Sequence, residues 1–281
     1  GLCTVEFLLD EDAGDFVFME ANPRIQVEHT VTEAVTGVDL AQTQIRLAAG
    51  ASLVELGLEQ KQIPEAKGFA VQLRVNLESM SNDGSARPAG GTLSAYEPPS
   101  GAGIRVDGYG YSGYTTSPRF DSLIAKLIVQ ANDDYAGVLR RAYRALCEFR
   151  LEGVSSNLQF LQNLLQNAAV QSNDVFTGFI EANAATLTAS QTSEHPHRYF
   201  SAGKTAATEQ QDGVIAPAGT EPLKSPVQGV LVSLDVQVGD AIAVGQQVAV
   251  LEAMKMEFVV KAAQSGIVRA LAVEPGSSLF E

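Results

Sequence analysis

Over the first fifty residues, apolar and polar positions alternate twice and then change period. The runs LCTVEFLL (2–9) and DFVFME (15–20) are patterned as strands around the turn-rich DEDAGD. A helix is expected next. Thr30 and Glu33 have the spacing of a capping box, and DLAQTQIRLAA ends at Gly50, a natural C′ glycine. FAVQLRVNL and LIAKLIV read as strands between about residues 68 and 130, joined by Gly-, Pro- and Ser-rich connections. Amphipathic periodicity predicts helices over 134–149 and 157–167, and a shorter one over 177–187. Residues 186–222 lose all period and are rich in Ala, Thr, Ser, Gly and Pro, the texture of a flexible linker with some local structure around Tyr199-Phe200. From Leu223 the strand pattern returns.

That last region repeats itself. GVLVSLDVQVGDAI (229–242) matches GIVRALAVEPGSSL (266–279) 37 residues later, with glycine against glycine at Gly229/Gly266 and Gly239/Gly276. Two such halves predict a small β-sandwich with pseudo-twofold symmetry, each half burying the other's apolar face. The first half continues as GQQVAVLE, whose counterpart would begin at position 282, so one strand of this domain is expected to be missing. Residue 1 also falls inside a strand-like run, so the chain is read as truncated at both ends.

Composition narrows the function classes. A net charge of −14 argues against a nucleic-acid-binding surface, and no apolar run reaches the length of a membrane span. Cys3 and Cys147 make neither a disulfide framework nor a metal-ligand spacing. The chain reads as cytoplasmic.

Two stretches carry chemistry. In VAVLEAMKMEFVV (248–260), strand-like alternation breaks at Met254-Lys255-Met256, which places Lys255 at a hairpin turn. A lysine beside two methionines, the most adaptable apolar contact for a second protein, is patterned as a modification site. In MEANPRIQVEH, Glu20, Asn22, Arg24, Gln26 and Glu28 recur at every second residue and, on an extended chain, share one face. A hairpin folded symmetrically about Ala13 sets Glu6 opposite Glu20. Facing carboxylates repel, and with Asn22 they form a hard-oxygen set suited to Mg²⁺, which in turn implies a nucleotide. Arg24 offers a planar fork for a small carboxylate-like anion; Gln26 and the backbone N–H of Val27 add neutral donors, and Glu28 can act as general base. Bicarbonate attacking the γ-phosphoryl group of ATP fits such a face.

Both stretches resemble parts of one enzyme family. Glu252-Ala253-Met254-Lys255-Met256 is similar to the biotinylation motif of biotin carboxyl carrier domains, and Ser225-Pro226-Val227-Gln228-Gly229 to their opening strand. The methionines favour this over a lipoyl domain of the same fold. Residues 1–185 resemble the C-terminal portion of biotin carboxylase, an ATP-grasp enzyme, through VEF, EANPRIQVEHTVTE, TGVDL, QLRVN and FDSLIAKLI. The resemblance implies that Glu6, Glu20 and Asn22 bind Mg²⁺ (or Mn²⁺), that Arg24, Gln26 and Val27 bind bicarbonate, and that Glu28 is the base. It further implies that Arg74 stabilises the biotin enolate, that biotin is carried on Lys255, and that Arg105 lies at a dimer interface. SMSNDGSARPAGG, after the Arg74 strand, is longer than the family's loop and differently composed.

The expected fold class is therefore α+β: the end of an ATP-grasp domain (1–50), a biotin carboxylase C-terminal domain (51–185), a linker (186–222) and an all-β biotinyl domain (223–281). The implied reaction carboxylates biotin on Lys255 at the expense of MgATP and bicarbonate, giving carboxybiotin for a carboxyltransferase. Implied partners are that transferase, a biotin protein ligase and a second copy of the chain, with no nucleic acid or membrane. The short interval between the two parts points to an acyl-CoA acceptor, either in an actinobacterial-type subunit or in a single-chain form, rather than to pyruvate or urea. Lysines and a glycine-rich flap that grip ATP in the family are not in this sequence, so the 281-residue chain by itself is expected not to hydrolyse ATP at a useful rate. The rival readings are a different ATP-grasp ligase, which needs no AMKM lysine, and a non-catalytic biotin carrier, which needs neither Glu28 nor Arg24.

Overall fold

The computed structural model describes residues 1–10, 12–117, 120–189, 195–199, 219–253 and 256–279. Strands β1 (Thr4–Asp10) and β2 (Asp15–Asn22) form the opening hairpin, followed by helices α1 (His29–Thr36) and α2 (Leu40–Ala48). Then come β3 (Phe69–Asn76), β4 (Glu78–Met80), β5 (Ala86–Pro88), β6 (Ala95–Glu97), β7 (Ile104–Gly108) and β8 (Leu123–Ala131). Helix α3 (Tyr135–Glu148), strand β9 (Arg150–Glu152) and helices α4 (Leu158–Gln166), α5 (Ala168–Gln171) and α6 (Phe179–Leu187) follow. The remaining elements are strands: β10 (Gly229–Leu234), β11 (Ala241–Ile242), β12 (Gln247–Ala253), β13 (Met256–Lys261), β14 (Gly266–Ile267) and β15 (Ser278–Leu279). The residues divide into two compact units, one of 1–73, 100–107 and 127–142, the other of 74–99, 108–126 and 143–281. None of the helices among the described residues is long and apolar enough to cross a membrane.

The mixed α+β character and the all-β C-terminal part follow the sequence pattern. β8 lies in the middle of the sheet β3-β8-β7 and is buried along most of its length, as a continuous apolar run in a central strand should be. The C-terminal strands make a four-stranded sheet, β13-β12-β10-β15, and a two-stranded one, β11-β14, around a core of Val227, Leu231, Val248, Leu251 and Val260.

The internal repeat appears as reciprocal pairing. Gly229 pairs with Leu279 in β10–β15, and Ile242 with Gly266 in β11–β14, so the first position of each half meets the last position of the other. The turn glycines obey the same rule: Gly239 N–H donates to the Val268 carbonyl at 2.9 Å, and Gly276 N–H to the Leu231 carbonyl at 2.7 Å. Both have positive φ, 102° and 92°, which explains glycine at each.

Two local expectations are corrected. The single early helix is two helices, broken at Gly37 with φ 74°, and α2 is capped by Asp39 accepting from Gln42 N–H at 2.7 Å. The capping box does not form. Thr30 sits inside α1 and its hydroxyl donates to Gln72 Oε1 at 2.5 Å, while Glu33 accepts from Leu40 N–H at 2.9 Å and from Arg105 at 2.8 Å. Tertiary partners here outcompete the local cap. Gly50 does follow α2 with φ 101°.

The interval 186–222 is anchored at its start. α6 reaches Leu187, and His195–Tyr199 is held against the preceding helices. Arg198 N–H donates to the Cys147 carbonyl at 2.8 Å, and His195 is hydrogen-bonded to the Tyr143 hydroxyl at 3.0 Å and to Asn163 Oδ1 at 2.7 Å.

Candidate functional site

The first cluster is built by the opening hairpin. Glu6 on β1 and Glu20 on β2 are direct cross-strand partners. They meet by a route the symmetric hairpin did not contain. Near the turn the register runs Asp10↔Asp15 to Phe7↔Phe18, centred between residues 12 and 13, and then shifts between Glu6 and Phe7. Met19 is the extra residue, a bulge that restores the Glu6–Glu20 pairing. Two carboxylates in a direct pair are destabilising unless something neutral or cationic lies between them. Here the Asn22 amide fills that role, its Nδ2 donating to Glu20 Oε1 at 2.7 Å and to Glu6 Oε1 at 3.3 Å. Two carboxylates and one amide thus meet at one point of the hairpin. They suit a hard cation that keeps most of its shell as water or substrate oxygens. Among the described residues, neither here nor elsewhere do three or more His, Cys, Asp or Glu side chains gather in a metal-binding arrangement.

The polar face from Glu20 to Glu28 is not one strand. β2 ends at Asn22, because Pro23 has no N–H for the ladder, and Arg24 N–H closes a tight turn onto the Asn22 carbonyl at 2.8 Å. Arg24, Gln26 and Val27 therefore lie on an irregular segment, and Glu28 is the N-cap residue of α1 without a side-chain capping bond. His29 holds this segment from below, its N–H reaching the Gln26 carbonyl at 3.3 Å and its Nδ1 lying 2.7 Å from the same oxygen. Gln26 Oε1 is buried with no hydrogen-bond partner. A buried, unsatisfied amide oxygen costs free energy unless a donor meets it, so the group it awaits carries an O–H or N–H rather than only acceptor oxygens.

Arg74 lies on β3 between Leu73 and Val75, which are 5% and 0% exposed. Its backbone is clamped by a residue that sequence reasoning missed. Asn157 occupies the N-cap of α4, yet its side chain turns away from that helix. Asn157 Nδ2 donates to the Arg74 carbonyl at 3.0 Å, and Asn157 Oδ1 accepts from Asn76 N–H at 2.9 Å. A bidentate amide grip on two alternate backbone groups fixes the strand at the residue it presents. Only the asparagine ahead of an apolar helix was visible in sequence, and that pattern points to capping rather than to a strand 80 residues away.

Arg105 on β7 spends its donors inside its own unit. Its guanidinium is paired with Asp107 at 2.7 and 2.8 Å and with Glu33 at 2.8 Å, contacts that hold it firmly protonated. The expectation of an interface role for Arg105 has this internal network as its competitor.

Met254 and Lys255 lie outside the described residues. Their flanks do not: β12 and β13 pair from Gln247↔Lys261 to Ala253↔Met256. Ala253 is buried at 1% exposure whereas Met256 is 52% exposed.

Three family models match separate stretches of the chain. Residues 1–56 match the carbamoyl-phosphate synthase L chain ATP binding domain, 72–182 the biotin carboxylase C-terminal domain, and 221–280 the biotin-requiring enzyme domain. The biotin carboxylase of Nostoc sp. is 44% identical over 181 residues, covering 64% of this chain and 39% of the relative. The pyruvate carboxylase of Pichia angusta is 43% identical over 179 residues, 63% of this chain and 15% of the relative. Among solved structures, a single-chain, multi-domain long-chain acyl-CoA carboxylase is similar over 100% of this chain and 28% of its own, with TM-score 0.63 and 37% identity. The biotin carboxylase domain of the Hydrogenobacter thermophilus 2-oxoglutarate carboxylase, a dimer solved with MgADP and bicarbonate, is similar over 66% of this chain and 39% of its own, with TM-score 0.61 and 37% identity. This chain thus spans well under half the length of the relatives it matches.

Proposed function

We propose that this chain, which joins the carboxylase and biotinyl domains of the biotin-dependent carboxylase family, takes part in the ATP- and bicarbonate-dependent carboxylation of biotin carried on Lys255. The observation that carries the reading is the bulged hairpin that brings Glu6 and Glu20 under one Asn22 amide, directly ahead of the Arg24–Glu28 segment and in one chain with a biotinyl domain. Glu6, Glu20 and Asn22 would hold Mg²⁺, which supplies charge neutralisation for the two carboxylates and for nucleotide phosphates. Arg24 grips the bicarbonate anion with two parallel N–H donors, and Gln26 and the Val27 N–H complete its hydrogen bonds. Glu28 accepts the bicarbonate proton, leaving an oxygen lone pair to attack the γ-phosphorus of ATP as the bond to ADP breaks. Arg74, set on a clamped strand, places a fixed positive charge where the ureido oxygen of biotin gains electron density. Biotin, when attached, supplies the nitrogen that receives the carboxyl group.

The finer reading is an acyl-CoA acceptor. It is supported by the long-chain acyl-CoA carboxylase, whose similarity extends through the interval between the two parts and into the biotinyl domain. In this reading the protein is cytoplasmic, is modified by a biotin protein ligase, passes its carboxyl group to a carboxyltransferase and pairs with a second copy through its carboxylase part. The domain limits then fall near 50, 185 and 222.

The decisive experiment is avidin capture after expression with biotin and a biotin protein ligase, beside Lys255→Ala. Labelling of the wild type that disappears in the variant is expected. A folded, unlabelled wild type overturns the reading. If labelling holds, Glu28→Gln and Arg24→Ala in the full-length protein distinguish an enzyme from a passive carrier: an enzyme loses biotin-dependent ADP formation by at least about a hundredfold, a passive carrier shows none to lose.

A further inference from the structure

Residues 79–91, which carry most of the β4–β5 hairpin, end against the C-terminal strand domain. Pro88 and Ala89 line a small cavity together with Leu77, Tyr114, Gln228 and Ala253, all within one compact unit. At its edge lies a polar contact between two buried side chains, Thr116 at 9% exposure and Gln228 at 2%. Gln228 Nε2 donates to Thr116 Oγ1 at 3.1 Å, and Thr116 Oγ1 lies 3.3 Å from Gln228 Oε1 as donor. Gly91 N–H also donates to Thr116 Oγ1, at 3.1 Å. The hydroxyl is therefore held by the end of this segment and received by an amide of the C-terminal strand domain.

Gln228 sits at a meaningful place. It immediately precedes β10, and Val230 pairs with Glu252 on β12, so continuing the antiparallel register puts Gln228 at the end of the domain where β12 leads into the lysine-bearing hairpin. Gly229 allows the two strands to close there: a Cβ at that position would stand 2.8 Å from the Glu252 carbonyl. On the opposite side, Leu77 is three residues past Arg74, about 10 Å along an extended strand. The carrier's hairpin end thus meets the carboxylase domain beside the strand that presents Arg74.

We propose that Thr116 and Gln228 form a docking seat that sets the orientation of the carrier for loading of its lysine, with Gly91 at the end of the 79–91 segment holding the Thr116 hydroxyl in place. For its purpose, though not for its existence, the seat rests on the carboxylase reading above. A neutral hydroxyl–amide pair suits the task. Its directionality fixes orientation, and without charge it binds weakly enough to release the carrier after each visit.

Hydrogen exchange on the whole chain tests the seat, using Thr116→Arg and, as a milder change, Gln228→Ala. Each variant is expected to raise exchange at least tenfold in the domain it does not alter: Val227–Gly229 for the first, Gly91–Leu93 for the second. Slow exchange at Leu251 and Leu127 verifies that both domains remain folded. Changes confined to the altered domain overturn the seat. In the full-length enzyme, the ratio of carried-biotin to free-biotin carboxylation is expected to fall at least fivefold in Gln228→Ala, and an unchanged ratio overturns the positioning role. Wild-type enzyme that fails to carboxylate free biotin overturns the carboxylase reading instead, and leaves the seat to be decided by exchange.

Discussion

Two hairpins in this molecule have the same alternating sequence texture and opposite fates. In β12, Val248, Ala249, Leu251 and Ala253 are 5%, 7%, 0% and 1% exposed. In the opening hairpin, Phe7, Leu9, Phe16 and Val17 are 51%, 58%, 67% and 65% exposed, and the best that its rings achieve is edge-to-face contact of Phe7 with Phe16 at 5.4 Å and with Phe18 at 6.1 Å. Alternation tells which side chains share a face. Whether that face is covered depends on a second layer, which the repeat supplies for β12 and which no described residue supplies for β1–β2. The metal-ligand candidates Glu6, Glu20 and Asn22 sit on this hairpin, where a bulge at Met19 and the Asn22 amide bridge set their geometry.

Stability measurements can sharpen that contrast. Leu251→Ala should be the most damaging change, about 3–5 kcal/mol in chemical denaturation and enough to unfold the biotinyl domain, because a fully buried leucine leaves a cavity. Phe7→Ala on the exposed hairpin should cost well under half as much; equal costs would show that the first hairpin is packed after all.

Asn157→Ala comes next. It removes two part-buried hydrogen bonds, to the Arg74 carbonyl and from the Asn76 N–H, and a loss of about 1–2 kcal/mol is expected, together with faster amide exchange at Asn76. A stable variant with unchanged exchange would mean that the Asn157 side chain does not hold the strand.

Glu78 gives a smaller effect with a definite sign. Burial raises its pKa above the ordinary carboxylate value, against hydrogen bonds from Asn76 and Ser122 that lower it, and the negative charge of Asp121 adds to the rise. A raised folded pKa means that the fold favours the protonated form. That contribution is fully present below the unfolded pKa and is lost as pH rises through the folded one. Glu78→Gln should therefore melt close to wild type at pH 4 and a few degrees higher at pH 8. A variant less stable at pH 8 would reverse the sign and show that the carboxylate is favoured in place.

Smallest is Glu6→Gln. Removing one of two facing charges should stabilise the hairpin by a few tenths of a kcal/mol in the absence of divalent cation, while abolishing any stabilisation by Mg²⁺. A Mg²⁺-dependent rise in melting temperature that survives the substitution would move the metal elsewhere.

Much of this was legible without coordinates because it depends on short-range rules. Period-two and period-3.6 patterning placed β1, β2, β3, β8 and helices α3, α4 and α6 within a few residues, and the repeat carried its own symmetry, since two halves that share a pattern can only bury it against each other. The Glu6–Glu20 pairing was also legible, although the symmetric turn assumed for it is replaced by a bulge at Met19. The straight face through Glu28 was not, because a single proline converts alternation into a turn.

What the sequence by itself determined, then, is the chemistry available and the side on which each strand presents it: paired carboxylates, a segment carrying Arg24, Gln26 and Glu28, and a lysine between two methionines in a β-domain with an internal repeat. What only the tertiary structure decided is which long-range partner wins each polar group. Thr30 leaves its capping box for Gln72, Asn157 leaves its helix for the backbone of Arg74, and Thr116 receives Gln228 from more than a hundred residues away. The reason is that hydrogen-bond partners of similar net worth, about 1 kcal/mol each, are ranked by burial and geometry, and both are properties of the folded chain rather than of its order.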